Sequence, residues 1–327
     1  MRVDPSQSQS STPIWFFSAR LLGRRVPGII VLKQPIRTTR IIHLKTSKHD
    51  HKLTTELNFE LYFVTEVLNL RSLHYGYWDE GRSNDRLDLA EIQRAQSRYT
   101  DRLISFVPAE AKTILDVGAG IGDNARALSR AGHRVTAISP DRNHERYFDD
   151  FDDPNIAFQR STFETFESAE EFDLILFSES HRYFDRRVGL QRAHRLVRPG
   201  GYLLVSGMFR YADKKPFPMD FDISDLPYIQ TGAEYGFIPL EISDITSNVV
   251  PTVEIAHRAI SDILEPTLRF AKAYAIARSP WKARLFRFLL SKENKELDRA
   301  LRKLRRKTNP DRFRQRFRYA TILFKAQ

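Results

Sequence analysis

The sequence contains no cysteine, which excludes disulfide bonds, thiolate metal sites and cysteine nucleophiles. No uninterrupted apolar run reaches the roughly 18 residues that a membrane-spanning helix needs, so no such helix is predicted. Internal repeats are absent as well, and we assign no metal site. What is present is a chain of 327 residues, 41% hydrophobic and 28% charged, which is typical of one large folded domain with appendages.

Acidic residues are scarce at both ends of the chain. Residues 1–52 carry a net charge of +8 and residues 267–327 carry +15, whereas residues 53–266 carry −12. The overall charge of +11 therefore describes an acidic centre between two basic ends. By itself it is no argument for nucleic acid binding.

The first 50 residues differ in composition from the rest, being rich in serine, glutamine and arginine and poor in acids. This composition fits an organelle transit peptide. The alternatives are a disordered tail or a start codon placed too far upstream. We expect no folded structure there in either case.

Hydrophobic periodicity predicts two helices, near 57–68 and Leu87–Phe106, on either side of the aromatic loop His74–Trp78. Short apolar strands then alternate with helices, and after residue 207 we expect a strand from Gly236 to Ile242, a helix interrupted by Pro266 and Pro280, and a last strand. The strands are predicted at 113–117, 134–138, 156–159, 172–177, 202–206, 236–242 and 319–324. Such alternation predicts a Rossmann-like α/β fold with a mostly parallel sheet.

The most informative segment reads Ile-Leu-Asp-Val-Gly-Ala-Gly-Ile-Gly over residues 114–122. A buried strand leads into an acid and then into glycines at alternate positions, where a helix begins. Glycines let a ligand approach the backbone closely, and the free N–H groups of the helix start favour an anionic group. A nicotinamide dinucleotide site is disfavoured because Asp123 stands where its third glycine is needed, and because the second strand ends in Ser139-Pro140 rather than in an acid.

Asp116, Gly118, Gly120 and Gly122 match the first motif of the class I S-adenosylmethionine-dependent methyltransferases, and residues 57–245 resemble that superfamily. The likeness is greatest to its small-molecule branch, which holds cyclopropane fatty acid synthases and sterol and tocopherol methyltransferases. The resemblance implies S-adenosylmethionine as the cofactor and a seven-stranded sheet whose last strand is reversed.

Three further stretches carry the resemblance and imply cofactor contacts. His74 and Tyr75 lie in a segment similar to the one that these enzymes fold over the cofactor, where aromatic rings attract a sulfonium; the alternative is an aromatic corner of the core. Ile138, Ser139 and Arg142 match the end of the second strand, although Arg142 stands where a glutamine is usual. The resemblance also places Phe163 on the adenine ring and Glu164 at its amino group, with the alternative that these residues form a surface loop over a buried ring.

The acceptor is expected at the carboxyl end of the fourth strand, where open α/β sheets keep their sites. There we assign Ser178 to the cofactor, and Glu179 and His181 to acceptor orientation or proton removal, with Tyr75 as a third catalytic candidate; His181 in a plain surface loop is the alternative. Arg182 stands where cyclopropane synthases carry a bicarbonate-holding glutamate, so ring closure on a lipid is not implied.

These assignments predict methyl transfer to a small, hydrophobic, lipid-like or secondary-metabolite acceptor, with a lid built by residues 207–290. The alternatives are an RNA or tRNA methyltransferase that uses the basic C-terminus, and a catalytically silent binding protein. The predicted division is a targeting or disordered extension (1–50), a helical cap (51–108), a cofactor-binding core (109–250) and a basic segment with the last strand (251–327). We expect a cytoplasmic protein, with organelle targeting by residues 1–50 as the alternative, and no nucleic acid as a partner. Trp281–Leu289 and Arg299–Lys307 have the pattern of helices that contact a membrane surface, with a solvated helix face as the alternative for the second.

Overall fold

A computed structural model describes residues 59–79, 88–149, 151–211, 216–218, 221–278 and 291–327. The predictions about the extension 1–50, about Leu57 and about the amphipathic stretch Trp281–Leu289 lie outside these residues. Among the described residues, no helix is both long and apolar enough to cross a bilayer.

Seven strands form one sheet in the order β3-β2-β1-β4-β5-β7-β6. The first five strands pair in parallel, and β7 runs antiparallel to both β5 and β6. The predicted fold class, including the reversed last strand, is therefore confirmed. The strands are β1 Thr113–Val117, β2 Arg134–Ser139, β3 Ile156–Arg160, β4 Phe172–Ser178, β5 Val197–Phe209, β6 Phe237–Asp244 and β7 Arg318–Ala326.

Helices connect and cover the strands. Asp88 and Asp185 begin two of them by accepting hydrogen bonds from the backbone N–H groups of the first turn. The helices are α1 Phe59–Tyr62, α2 Leu89–Ser105, α3 Asp123–Arg130, α4 Arg142–Asp149, α5 Arg186–Leu196, α6 Pro227–Glu234, α7 Thr246–Arg258, α8 Glu265–Arg278, α9 Ser291–Lys307 and α10 Pro310–Arg316.

The core consists of two apolar layers, one on each face of the sheet. Along β4, Ile175 and Phe177 point into the layer under α5 and α6, whereas Leu174 and Leu176 point into the layer under α2, α3 and α7. Because successive strand residues face opposite sides, an apolar run without alternation is the pattern of a strand buried on both faces. The site described below lies at the edge of the sheet where β1 and β4 end.

The described part of the N-terminal cap follows the predicted stripe. Leu61 is buried, and Val64 and Leu68 pack against a small cluster that includes Trp78. Leu89 is 37% exposed because it occupies the first turn of α2, directly after the capping Asp88.

Three local predictions need correction. The helix expected after the sixth strand begins at Thr246, and Pro266 does not interrupt it, since a π-helical turn at Ala259–Leu264 joins α7 to α8 and accommodates a proline without an N–H donor. The strand predicted from residue 202 starts earlier, because Arg198–Gly201 lie within β5 as a bulge between Val197, which pairs with Phe172, and Tyr202. Helix α4 was not predicted because Phe148 is its only buried residue.

Candidate active site

The glycine turn, residues 116–122, joins β1 to α3. Its three glycines adopt the left-handed conformation, with φ of 77° at Gly118, 58° at Gly120 and 79° at Gly122. The N–H groups of Gly118 and Ala119 both donate to the carbonyl of Ile138, at 2.8 and 3.0 Å. Ile138, predicted as a cofactor contact, thus holds the turn through its backbone, while its side chain is buried in the core.

The three glycines differ in what surrounds them. A Cβ on Gly118 would lie 2.7 Å from the Cβ of Ser180, and one on Gly122 would lie 2.8 Å from the Phe148 ring. A Cβ on Gly120 would meet only Leu73 Cδ1, at 3.4 Å. The first and third glycines are therefore required by the packing of the protein itself, and the second lies under the start of the aromatic loop.

Buried polar atoms without a hydrogen-bond partner among the described residues include Asp116 Oδ2 in this turn and Ser180 Oγ beside it. Burial, together with the nearby charge of Asp123, raises the pKa of Asp116 to about 8. A buried carboxylate oxygen without a partner destabilises a folded protein, and a hydrogen-bond donor on a ligand would satisfy it.

His74 and Asp123 form an ion pair at the start of α3, with Nε2 and Oδ2 2.8 Å apart. Burial lowers the pKa of His74, but the Asp123 carboxylate more than offsets this effect and the net shift is upward. Burial raises the pKa of Asp123, but His74 and the hydrogen bonds to this carboxylate bring it below its usual value. The pair joins the aromatic loop to the glycine turn.

The aromatic loop is fixed by polar contacts with α7. Thr252 Oγ1 accepts from the Gly76 N–H at 3.1 Å and from Trp78 Nε1 at 2.9 Å. Asn248 exchanges two further hydrogen bonds with the backbone of Trp78. The loop is therefore held in place by residues about 170 positions away in the sequence.

Glu179 follows β4 directly and adopts a left-handed backbone conformation with φ of 60°, which is uncommon for a residue other than glycine and is a mark of functional sites. The Tyr319 hydroxyl donates to Glu179 Oε1, and the Tyr75 N–H also bonds to this carboxylate. Burial raises the pKa of Glu179, although Tyr319 and Arg182 act in the opposite direction.

A chain of hydroxyls extends from Glu179 into the core. The Tyr319 hydroxyl lies 3.1 Å from that of Tyr99, which donates to Ser206 Oγ at 2.8 Å. Ser206 Oγ in turn lies 2.9 Å from Thr321 Oγ1. We call Tyr99, Glu179, Ser206, Tyr319 and Thr321 the Glu179 network. Ser178 is next to it, pairing with Ser206 across the sheet.

His181 occupies a different environment. Its ring stacks on Phe209 with centroids 4.5 Å apart and meets Tyr228 edge-on. Its Nε2 lies 3.2 Å from the Met208 carbonyl, and burial lowers its pKa to about 3. A group with so low a pKa is a weak proton acceptor, so the geometry favours Glu179 over His181 for proton removal.

The residues predicted on the ribose and adenine sides lie after β2 and β3. Ser139 Oγ lies 2.8 Å from His144 Nδ1, and Arg142 is exposed at the start of α4. Phe163 is buried between Phe177 and Phe184, and Glu164 is exposed. Their contacts with a cofactor stay predictions.

The structure thus brings His74, Tyr75 and Glu179 together and sets the glycine turn against Ser180. Sequence reasoning missed Tyr99 and Tyr319 as site residues and left Ser180 without a role. Tyr319 lies 140 positions from Glu179, and nothing in its local pattern distinguishes it from a strand residue. Ser180 could have been found, because it lies in the stretch after β4 that was already singled out.

Comparisons with known proteins agree with this geometry. Residues 115–205 match the family described as "Methyltransferase domain". An O-methyltransferase of Aspergillus sclerotiorum is 25% identical over 204 residues, which cover 57% of this chain and 76% of that protein.

Two solved structures share the fold at 16% identity each. Geranyl diphosphate C-methyltransferase from Streptomyces coelicolor A3(2), solved with Mg²⁺, geranyl-S-thiolodiphosphate and S-adenosyl-L-homocysteine, has a TM-score of 0.57 and covers 86% of this chain and 99% of its own. A cyclopropane synthase from Mycobacterium tuberculosis has a TM-score of 0.55 and covers 83% and 95%. Residues 115–205 therefore carry a methyltransferase domain, as the resemblance implied, with S-adenosylmethionine as the methyl donor.

Proposed function

Because residues 115–205 carry a methyltransferase domain, we propose that this protein methylates a small, hydrophobic acceptor. Aromatic side chains support this acceptor class: the ring of Phe217 lies 4.5 Å from that of Phe221 and 5.8 Å from that of Tyr211, in the segment that follows β5. The relatives named above, an O-methyltransferase and a geranyl diphosphate C-methyltransferase, also support a small acceptor.

The residues of the glycine turn fit the amino-acid tail of the donor. The unpartnered Asp116 Oδ2 would accept a hydrogen bond from an ammonium group, and the unpartnered Ser180 hydroxyl would bond to a carboxylate. An ammonium beside Asp116 would also restore the ionised state that burial disfavours. When bound, S-adenosylmethionine supplies a methyl group that is attached to a positively charged sulfur. The sulfur is a good leaving group because it departs as a neutral thioether.

Glu179 is the residue that we propose removes the acceptor's proton. It is an ionisable group at the carboxyl end of β4, and Tyr319 and the Tyr75 N–H fix its position. For a hydroxyl or carbon acceptor, the acceptor's electron pair forms the bond to the methyl carbon as the carbon–sulfur bond breaks. The acceptor's proton passes to the Glu179 carboxylate. A pKa raised by burial makes this carboxylate a stronger base than an exposed one.

Donor binding can be tested by isothermal titration with S-adenosylmethionine. We expect Asp116→Ala to weaken binding by about tenfold or more, because it removes a charge-assisted hydrogen bond. Asp152→Ala, at an exposed position, is the matched control. Equal heats of binding for Asp116→Ala and the wild-type protein would contradict the assignment of the glycine turn as the donor-binding site.

The role of Glu179 can be tested in a methyl-transfer assay with a panel of hydrophobic alcohols, phenols and isoprenoids. Glu179→Gln is expected to lower kcat by about 100-fold, the size of a general-base contribution, and to leave donor affinity unchanged. The exposed Glu171→Gln should behave as the wild type. Full activity in Glu179→Gln would show that this carboxylate does not take the proton.

A further inference from the structure

A pocket of about 570 Å³ lies away from the glycine turn, between the π-helical junction after α7 and the helices α9 and α10. Four arginines line it: Arg302, Arg305, Arg306 and Arg312. Nothing in the methyl-transfer mechanism uses this pocket. Arginines that share one cavity repel each other unless an anion separates them, so the arrangement calls for a ligand.

The positive charge of the pocket is only partly balanced. Arg305 lies 3.7 Å from Glu265, but this carboxylate also pairs with Arg269. Arg302, Arg306 and Arg312 have no carboxylate partner within the part of the chain that the structure describes. Asp262 accepts a hydrogen bond from Ser261 and forms no ion pair among the described residues, and Asp311, next to Arg312, pairs with Arg314.

The excess positive charge of the pocket affects the pKa of Arg312. Burial and the neighbouring cations Arg306, Arg316 and Arg210 lower the pKa of its guanidinium. Arg312 lies in the first turn of α10 and is only partly exposed. An anion in the pocket would relieve this repulsion.

The other polar groups of the lining suit an anion as well. Asn309 Oδ1 accepts from the Arg312 N–H at 2.7 Å, which turns its amide nitrogen, a donor, away from this cap. His257, whose Nδ1 lies 3.3 Å from Thr308 Oγ1, also lines the pocket.

We propose that this pocket binds a ligand that carries two or more phosphate groups. Guanidinium groups match phosphate oxygens two at a time, and arginine predominates where such recognition matters. The volume lies within the range of small-ligand sites and exceeds what a single phosphate fills. Both a soluble diphosphate and a lipid headgroup with several phosphates present this chemistry.

The pocket is connected to the candidate active site through the packing of α10 against the aromatic loop. Phe313, the residue after Arg312, is buried, and its ring centroid lies 6.1 Å from that of Tyr75 in the aromatic loop. Occupancy of the pocket thus acts on a helix that packs directly against the loop.

The test is isothermal titration of the full chain with inorganic pyrophosphate at 0.15 M NaCl, where long-range attraction is largely screened. Pyrophosphate is expected to bind, and Arg306→Gln/Arg312→Gln to weaken it by about tenfold or more. Lys303→Gln/Lys307→Gln is the matched control: it removes the same charge, partly from the same helix, without touching the pocket. It should change the affinity by less than about twofold, as expected for screened exposed charges.

Two further arms make the outcome decisive. Thermal unfolding of both double variants, and of the single variant Arg302→Gln, reports whether the fold is intact, and Arg302→Gln should also weaken pyrophosphate. Vesicles with phosphatidylinositol bisphosphate distinguish the sources: capture that pyrophosphate reverses indicates a lipid headgroup, and its absence alongside pyrophosphate binding indicates a soluble diphosphate. The proposal would be overturned if pyrophosphate did not bind, or if the arginine and lysine double variants lost pyrophosphate affinity equally. It would also be overturned if the chain bound RNA and both double variants weakened that binding equally.

Discussion

The glycine turn and the Glu179 network lie at the same edge of the sheet but are assembled differently. Asp116, Gly118 and Gly120 come from one short stretch of sequence. The Glu179 network draws Tyr99 from α2, Ser206 from β5 and Tyr319 from β7, up to 220 positions apart. A local motif positions its groups through backbone conformation, whereas a dispersed network depends on the packing of whole elements. Substitutions in the glycine turn should therefore act through local backbone conformation and contacts, whereas substitutions in the Glu179 network should act through interactions between distant elements.

The largest effect is expected from Gly118→Ala, which tests whether the glycine turn is constrained by packing as well as by φ. The new Cβ would be strained at φ of 77° and would collide with Ser180, so we expect a loss of about 3 kcal/mol in the free energy of unfolding. Gly132→Ala has a positive φ and open space around it, and should cost about 1 kcal/mol. Urea unfolding measures both; equal costs would mean that the contact with Ser180 relaxes freely.

Asp116→Asn should stabilise the cofactor-free protein at alkaline pH. The folded pKa of Asp116 is raised from 3.8 to about 8, so the unfolded chain releases its proton first and stability falls as pH rises from 4 to 8. We expect the variant to exceed the wild type by at least about 2 kcal/mol at pH 8 and to match it near pH 4. Unfolding midpoints across this range, with the exposed Asp152→Asn as control, measure the difference. A gap independent of pH would contradict the assignment.

Tyr319→Phe tests the dispersed network. The Tyr319 hydroxyl stabilises the Glu179 carboxylate and lowers its pKa, so its removal should raise that pKa further. In an enzyme assay, the acid limb of the pH–rate profile would move to higher pH by the same amount. A carboxyl titration followed by ¹³C NMR measures the shift without an acceptor. Tyr183→Phe, 77% exposed, should leave the titration unchanged.

Thr252→Val should have the smallest effect and tests the anchoring of the aromatic loop. It leaves the Gly76 N–H and Trp78 Nε1 without their shared acceptor, so we expect a loss of about 1 kcal/mol in unfolding free energy. Hydrogen exchange at residues 74–78 should quicken as well. Thr267→Val, on an exposed part of α8, is the control. Unchanged exchange would show that contacts other than Thr252 hold the loop.

Prediction from the sequence succeeded where short-range patterns carry the information. The apolar run of β4 and the glycines after β1 each act within a few residues, because strand burial and left-handed turns are properties of local sequence. Helix α4 was missed because its one buried residue, Phe148, cannot produce a periodic apolar pattern. The continuation of the helix through Pro266 was missed because the π-helical turn before this proline depends on packing.

The sequence by itself determined the fold class, the glycine turn and the position of Glu179 after β4, since each follows from residue types at close spacing. Only the tertiary structure decided which groups surround that carboxylate. Tyr319 reaches Glu179 because β7 inserts between β5 and β6, and Thr252 holds the aromatic loop because α7 packs beside it. Contacts between distant residues are set by the burial of whole strands and helices, which leaves no trace in the short-range pattern of either partner.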